Sequence, residues 1–147
     1  MANIDTTVSP DKISFGEIFD YSEIHSEYLT RIVKQVLSII SRSIDLYEDG
    51  FGPIHERKTF TGEAGEVTED GDINLDSQML KNYDDDVVMA LIAHELAHHH
   101  LKHYLYPADG LKQEYEADEL ASKWGFNIDK FREVCGPPTI QEQPIRR

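Results

Sequence analysis

The sequence predicts an α+β fold in a single domain, and three observations lead to this prediction. An apolar stripe with helical spacing covers residues 21–47, short apolar pieces separated by glycines fill residues 50–76, and two further helical patterns cover residues 85–124. A chain of 147 residues can bury about two thirds of its unfolded surface, which suffices for one modest core. We therefore expect one domain over residues 1–135, followed by a loose, proline-rich C-terminal tail at 136–147.

Charge and cysteine content limit the classes of function. With 14 Lys and Arg against 28 Asp and Glu, the net charge is -14, which should repel nucleic acid and anionic membrane surfaces. Cys135 is the only cysteine, so the chain can form no intramolecular disulfide. No stretch reaches about 18 apolar residues, and the first residues lack the pattern of a signal peptide. We predict a cytoplasmic protein that neither binds nucleic acid nor inserts into a membrane.

The first element is a long amphipathic helix over about residues 21–47. Its apolar positions recur every three or four residues, at Ile24, Tyr28, Ile32 and Val36 among others. We expect this stripe to pack on the protein's own core, and a helix that binds a partner is the alternative.

Short strands in a small sheet are predicted after this helix. Several glycines divide residues 48–76 into pieces such as 54–60 and 72–75. The turns Gly-Glu-Ala-Gly at 62–65 and Asp-Gly-Asp at 70–72 favour hairpin connections.

Two helices follow. Three aspartates at 84–86 precede an apolar pattern, and acidic residues stabilise the positive end of a helix. This helix should run over about residues 85–104 and end before the Pro, Asp and Gly within 107–110. The next helical pattern begins at 111 and should end at Gly125.

The first of these two helices carries His-Glu-x-x-His at residues 94–98. His94 and His98 are four residues apart, so both imidazoles leave the same face of the helix and can converge on one cation. Glu95 lies about 100 degrees round the helix, close enough to act as a base on a water bound to that cation. On a strong helix signal this motif indicates a zinc site, and chance in a His-rich helix is the alternative.

A catalytic zinc site normally has three protein ligands, so a third is required. Glu114 and Asp118 lie four residues apart on the next helix and share one face. One carboxylate can bind the metal while the other accepts a hydrogen bond from a ligand imidazole. In a strict helical hairpin Asp118 could lie nearer to His98 than Glu114 does, so the spacing leaves Asp118 as a rival third ligand. An acidic, solvated helix without a metal is the further alternative.

The stretches HELAHHHLKH and EYEADELASKWGF, within residues 84–130, together resemble the gluzincin metallopeptidases. The relevant members are the HtpX-like and Oma-type endopeptidases and the CAAX prenyl endopeptidase group. The resemblance implies a zincin-like fold and a bound Zn²⁺. By position it implies that His94, His98 and Glu114 are the zinc ligands, that Glu95 is the general base, and that Asp118 accepts a hydrogen bond from a ligand histidine, expected to be His94.

The chain also departs from those members. They usually carry membrane helices or signal sequences and a longer insert between the two helices, whereas only 15 residues separate His98 from Glu114 here. We therefore expect a minimal soluble form. The regulator-cleaving ImmA-like peptidases share a similar Glu-x-x-Ala-Asn/Asp element and are an alternative.

Other histidines are weaker candidates. His99 and His103 are also four apart, but residue 100 is His where the motif requires Glu, so they form no second motif. His103 recurs in the resembled family, and we expect it to pack or hydrogen bond within the structure. We expect His100 to be exposed.

His55, Tyr115 and Arg132 are weak candidates for a donor that stabilises the transition state. Cys135 could reach the zinc as an inhibitory thiolate, whereas a buried, unreactive thiol is the more common case.

The sequence thus predicts a zinc-dependent endopeptidase that acts on a peptide or protein substrate. A metal-binding regulatory module without catalytic activity is the alternative, as is a latent enzyme that awaits removal of its N-terminal segment.

Overall fold

The computed structural model describes residues 7–18, 22–49, 51, 53–105 and 110–139. Helices and strands alternate irregularly along the chain and surround one apolar core. In chain order the elements are α1 (Phe15–Ile18), β1 (Ser22–Glu23), α2 (Glu27–Ile40), α3 (Leu46–Asp49), β2 (Ile54–Glu56), β3 (Gly65–Val67), β4 (Ile73–Leu75), α4 (Ser77–Leu80), α5 (Asp85–His100), α6 (Gly110–Trp124) and α7 (Ile128–Cys135).

The mixed content confirms the predicted α+β class. The four strands form one sheet in the order β1-β2-β4-β3. The turn at 70–72 joins β3 and β4 in a hairpin, as predicted, and Gly71 adopts a φ of +87° there. The hairpin predicted at the turn 62–65 is wrong, because β2 pairs with β4 and not with β3. The parallel pairing of β2 with both β1 and β4 was not anticipated from the sequence.

Helix α2 is shorter than the predicted span of 21–47, of which residue 21 lies outside the described part of the chain. It begins after Ser26, whose hydroxyl accepts a hydrogen bond from the Leu29 amide, and residues 22–23 pair with β2 instead. It ends at Ile40, where the Ser41 hydroxyl donates to the Ser38 carbonyl. The apolar stripe faces the core, as expected, because its residues are buried beneath α5.

Helix α5 lies at the centre of the molecule. It contacts α2, α6, α7, β3 and β4, and nearly every side chain from Val87 to His99 is buried. A helix surrounded in this way needs apolar residues on all sides, which explains why it lacks a polar face. Its N-terminus is held from outside by Lys130, which forms ion pairs with Asp84 and Asp86 at 3.2 and 3.0 Å.

The prediction that this helix runs to about residue 104 is wrong. Helix α5 ends at His100, well before the proline at 107, because Lys102 adopts a left-handed φ of +59°. The His103 amide then donates to the His98 carbonyl and the Lys102 amide to the His99 carbonyl. These two bonds form a Schellman motif, which usually has glycine at the left-handed position.

The C-terminal part of the described chain folds against α5 and α6. Gly125 ends α6 with a φ of +109°, as predicted, and α7 follows at once. Of the predicted tail, residues 136–139 are irregular and residues 140–147 lie outside the described part. Within the described residues, no helix has both the length and the apolar character needed to cross a membrane.

Candidate metal centre

Two helices bring three donor groups together. Helix α5 carries His94 and His98, and α6 packs beside it so that Glu114 faces both imidazoles. His94 Nε2 lies 3.2 Å from Glu114 Oε1, and His98 Nε2 lies 2.6 Å from Glu114 Oε2. The two Nε2 atoms are 3.0 Å apart, and all three side chains are buried.

This donor set fits a divalent metal ion. One ligand atom from each residue lies within 4.8 Å of the others. Ligands at about 2.0–2.1 Å from a tetrahedral zinc lie about 3.3 Å from one another, so the shortest of these contacts would need to open by about 0.7 Å. Two imidazoles and one carboxylate are also an established ligand set for zinc.

Asp118 lies behind His94. Its Oδ1 atom is 2.8 Å from His94 Nδ1, on the far side of the ring from Glu114. Arg132 of α7 then donates to both carboxylate oxygens of Asp118, from Nε and Nη2, at 2.8 Å each. The structure therefore places Asp118 beside the outer nitrogen of His94, away from the Nε2 atoms that converge with Glu114.

His103 lies behind His98 in a similar way. The Nδ1 atoms of the two rings are 2.9 Å apart, and His103 Nε2 is 3.0 Å from Glu116 Oε1. The expectation that His103 forms a hydrogen bond within the structure is confirmed, and its position follows from the early end of α5.

The pKa values within the cluster reflect its burial. Burial lowers the pKa of His98 to about 4, although its contact with Glu114 opposes this shift. Burial would also lower the pKa of His94, but its contacts with Asp118 and Glu114 raise it to about 9. Burial alone would raise the pKa of Glu114, yet the two histidines hold it well below its usual range. These contacts favour the anionic form of Glu114 and the doubly protonated form of the His94 ring.

Glu95, the residue after His94 on α5, also lies at this site. Its side chain is only 3% exposed, and burial together with the nearby Glu114 raises its pKa to about 8. Among the described residues, its Oε1 atom has no hydrogen-bond partner. Burial of a carboxylate oxygen without a partner is energetically unfavourable, and Glu95 lies on the wall of a cleft.

The cleft has a volume of about 330 Å³ and extends from the metal centre between α5, α7 and the segment before β3. His94, Glu95 and Glu114 form its inner end. Apolar side chains form much of the rest, namely Met79, Tyr83, Leu91, Phe131 and Val134.

Gly65 is a site residue that the sequence analysis missed. A Cβ atom at this position would lie 2.8 Å from Leu91 Cδ2 and 3.1 Å from Glu95 Cγ, so only glycine lets β3 approach the glutamate. A glycine inside a strand pattern is a signal for close backbone approach, and this signal was present at Gly65.

The weaker sequence candidates lie in different places. Arg132 lines the cleft and binds Asp118, whereas His55 contacts Glu23 and Asp72 at the sheet. Tyr115 is 57% exposed and is absent from the cleft wall.

Cys135 is exposed at the cleft, contrary to the expectation of a buried thiol, because it lies at the end of α7. His100 is half-buried against the ring of Trp124, where exposure was expected. His99 is buried and stacks on Tyr104, so it takes no part in the cluster.

The fold and the convergent donors define a candidate metal-binding protein. The model of peptidase family M48 matches residues 26–109, which is more than half of the chain. The chain therefore belongs to peptidase family M48, and this places it among the metallopeptidases. The match includes the two histidines of α5 but ends before α6, which carries Glu114 and Asp118. No curated protein and no solved structure matches the chain.

Proposed function

We propose that this protein is a zinc-dependent endopeptidase of minimal gluzincin type with a zincin-like fold. His94, His98 and Glu114 bind the zinc, Glu95 is the general base, and Asp118 orients His94. The observation that carries the proposal is that three buried donors meet a further buried side chain, the carboxylate of Glu95, at the inner end of one cleft. Zinc is favoured over iron, cobalt and manganese by common usage of this ligand set, since the donor types suit all four.

The chain supplies the acid-base chemistry and holds the substrate. A bound zinc supplies a Lewis acid that polarises the scissile carbonyl and lowers the pKa of its water towards about 7. Glu95 takes a proton from the attacking water and passes it to the leaving amine.

The substrate is an extended peptide or an unfolded protein. Strand β3 lies at one edge of the described sheet and begins at Gly65, directly beside Glu95. An extended chain can pair with such an edge through backbone hydrogen bonds, and this pairing would place one of its peptide bonds beside Glu95. The apolar wall of the adjoining cleft can receive a side chain of that peptide.

The test measures metal content and activity on the same preparations. Elemental mass spectrometry of protein purified without a metal-affinity tag should give about one zinc per chain, as expected for one set of three protein ligands. The zinc should be lost in His98→Ala and Glu114→Ala. Glu119→Gln, an exposed change on the same helix as Glu114, is the control and should retain it.

Activity is then assayed on an unfolded protein substrate. Glu95→Gln should keep the zinc and lose at least about 100-fold in kcat, since general-base catalysis contributes that much. Equal activity of Glu95→Gln and the wild type would refute the catalytic proposal. Zinc that survives Glu114→Ala would refute the proposed ligand set.

A metal module without catalytic activity, or a latent enzyme, is the second candidate, and the position of Cys135 supports it. This thiol is exposed at the same cleft as His94 and Glu114. In such a protein a fourth protein ligand would close the coordination sphere. Cobalt-substituted protein would then show a thiolate charge-transfer band, and Cys135→Ser would remove it.

A further inference from the structure

We propose that His103 and Glu116 are positioning residues that hold His98 in the tautomer and ring orientation required for metal binding. This inference depends on the proposed metal centre. His103 is not one of the three converging donors, but it contacts His98. Glu116, on α6, contacts His103 in turn.

With a cation bound by His98, the direction of each hydrogen bond in this chain follows from the geometry. His98 Nε2 faces Glu114 and His94, so this nitrogen must present its lone pair to a cation. A neutral imidazole has one donor and one acceptor nitrogen, and His98 Nδ1 must therefore carry the hydrogen. The atom 2.9 Å away is His103 Nδ1, which then accepts.

The same reasoning extends to Glu116. Because His103 Nδ1 accepts, the hydrogen of this ring is on Nε2, which lies 3.0 Å from Glu116 Oε1. The carboxylate accepts that hydrogen and so selects the tautomer of His103. A chain of two hydrogen bonds therefore runs from Glu116 through His103 to His98. The His103 side chain is 11% exposed and that of Glu116 is 45% exposed, so solvent can replace the glutamate more easily than the histidine.

The turn at the end of α5 makes this contact possible. On a continuing helix, residue 103 would lie about 140 degrees round from residue 98 and point away from it. The left-handed conformation of Lys102 ends the helix and folds the chain back, and the His103 amide donates to the His98 carbonyl. Backbone and side chain of His103 thus both bond to the same residue.

The two metal-binding histidines are therefore supported differently. His94 has a carboxylate behind it, Asp118, which Arg132 holds in place. His98 has a neutral imidazole behind it. Partners of this kind fix ligand orientation in metal sites, and their removal typically weakens metal binding by about 10–100-fold.

The experiment compares zinc affinity, by competition with a chromophoric chelator at one pH, for variants that keep or remove the acceptor. Asparagine places its Oδ1 atom where His103 has Nδ1, so His103→Asn should bind zinc within a few-fold of the wild type. His103→Leu removes the acceptor and His103→Gln moves it away, so both should bind about 10–100-fold more weakly. Glu116→Ala should reduce zinc affinity less than His103→Leu does.

His100→Leu is the matched control. It also removes a histidine near the end of α5, but the ring of His100 contacts Trp124. It should bind zinc as the wild type does. If His103→Leu fails to fold, as judged by circular dichroism, the comparison of His103→Asn with His103→Gln decides the same question, since both are polar amides.

A spectroscopic readout separates positioning from general loss of structure. In the cobalt-loaded protein, the outer N–H of each coordinated imidazole gives a hyperfine-shifted, exchangeable proton signal. Two such signals are expected in the wild type and in His103→Asn, and one should be lost to solvent exchange in His103→Gln.

The outcomes distinguish the two proposals. Failure of the wild type to bind zinc or cobalt would overturn the metal centre and this inference with it. Tight zinc binding by the wild type, with equal affinity and both proton signals in His103→Leu and His103→Gln, would overturn the role of His103 and leave the metal centre intact.

Discussion

Arg132 donates a hydrogen bond to each carboxylate oxygen of Asp118, and Asp118 approaches the outer nitrogen of His94 to 2.8 Å. Burial alone would raise the pKa of Asp118, but the contacts with His94 and Arg132 lower it, so the carboxylate stays charged in the interior. The planar guanidinium matches the two oxygens and fixes the carboxylate in one orientation. A residue of α7 is thus connected, through Asp118, to a ring on α5.

Replacing Arg132 should therefore weaken metal binding. In Arg132→Leu the buried Asp118 keeps only His94 as a partner, and we expect zinc affinity to fall about tenfold, the lower end of the usual effect. Arg132→Lys keeps the positive charge but cannot form the two parallel hydrogen bonds of the guanidinium. Its zinc affinity should lie between those of Arg132→Leu and the wild type. The measurement is chelator competition at neutral pH. Equal zinc affinity in Arg132→Leu and the wild type would show that the contact between Arg132 and Asp118 does not contribute to metal binding.

Gly65→Ala should impair catalysis while leaving the metal in place. The new methyl group would lie 3.1 Å from Glu95 Cγ and 3.3 Å from Glu95 Oε2, so the glutamate must move by a few tenths of an ångström. Because a small displacement of a catalytic group lowers the reaction rate strongly, we expect kcat to fall about tenfold or more. Zinc content and kcat are measured on the same sample. A Gly65→Ala protein with full zinc and the wild-type kcat would contradict this account.

Lys102→Gly should stabilise the protein. A side chain in the left-handed region is strained by about 1–2 kcal/mol, whereas glycine adopts this conformation freely but loses more entropy on folding. The net gain should be about 0.5–1 kcal/mol in the free energy of unfolding. Urea denaturation measures it, with Lys102→Ala as the control for loss of the lysine side chain. A glycine variant no more stable than the alanine variant would contradict the prediction.

Glu56 should make the stability of the fold sensitive to acid. Burial alone would raise its pKa, but hydrogen bonds from the Ser77 hydroxyl and from the amides of His25 and Ser26 lower it from 4.5 to about 2. Because the pKa is lower in the folded state, this stabilisation is complete above the unfolded value of 4.5 and is lost as the pH falls to about 2.

The comparison for this prediction is Glu56→Gln, which keeps an acceptor but has no charge to titrate. Its free energy of unfolding should fall less than that of the wild type between about pH 5 and 2. Urea titrations across this pH range provide the measurement. Parallel curves for the two proteins would mean that Glu56 does not carry the acid sensitivity.

The convergence of the donors could be predicted because it depends on local geometry. His94 and His98 share a face of one helix, and Glu114 and Asp118 share a face of the next, whatever the rest of the chain does. Which carboxylate meets the histidines depends on the register between α5 and α6. The spacing left this open, and the structure brings Glu114 to the Nε2 atoms.

The contacts that were missed depend on the tertiary structure or on an atypical local signal. The helix end at Lys102 could not be predicted, because this left-handed position usually carries glycine or asparagine. The contact of Gly65 with Glu95 joins a strand to a helix 30 residues later, which no periodicity reveals. The two-residue strand β1 is too short to produce an alternating pattern.

The burial of α5 on all sides has a consequence for how the protein loses its function on heating. Backbone amides at the centre of a core exchange with solvent only when the whole domain opens, and those from Val88 to His98 are in this position. The two histidines and Glu95 on α5 should therefore be exposed only by global unfolding, and we expect inactivation and global denaturation to occur at one temperature. For the same reason, a metal ion or inhibitor that binds only the native cluster protects the entire domain, including surfaces far from the cleft.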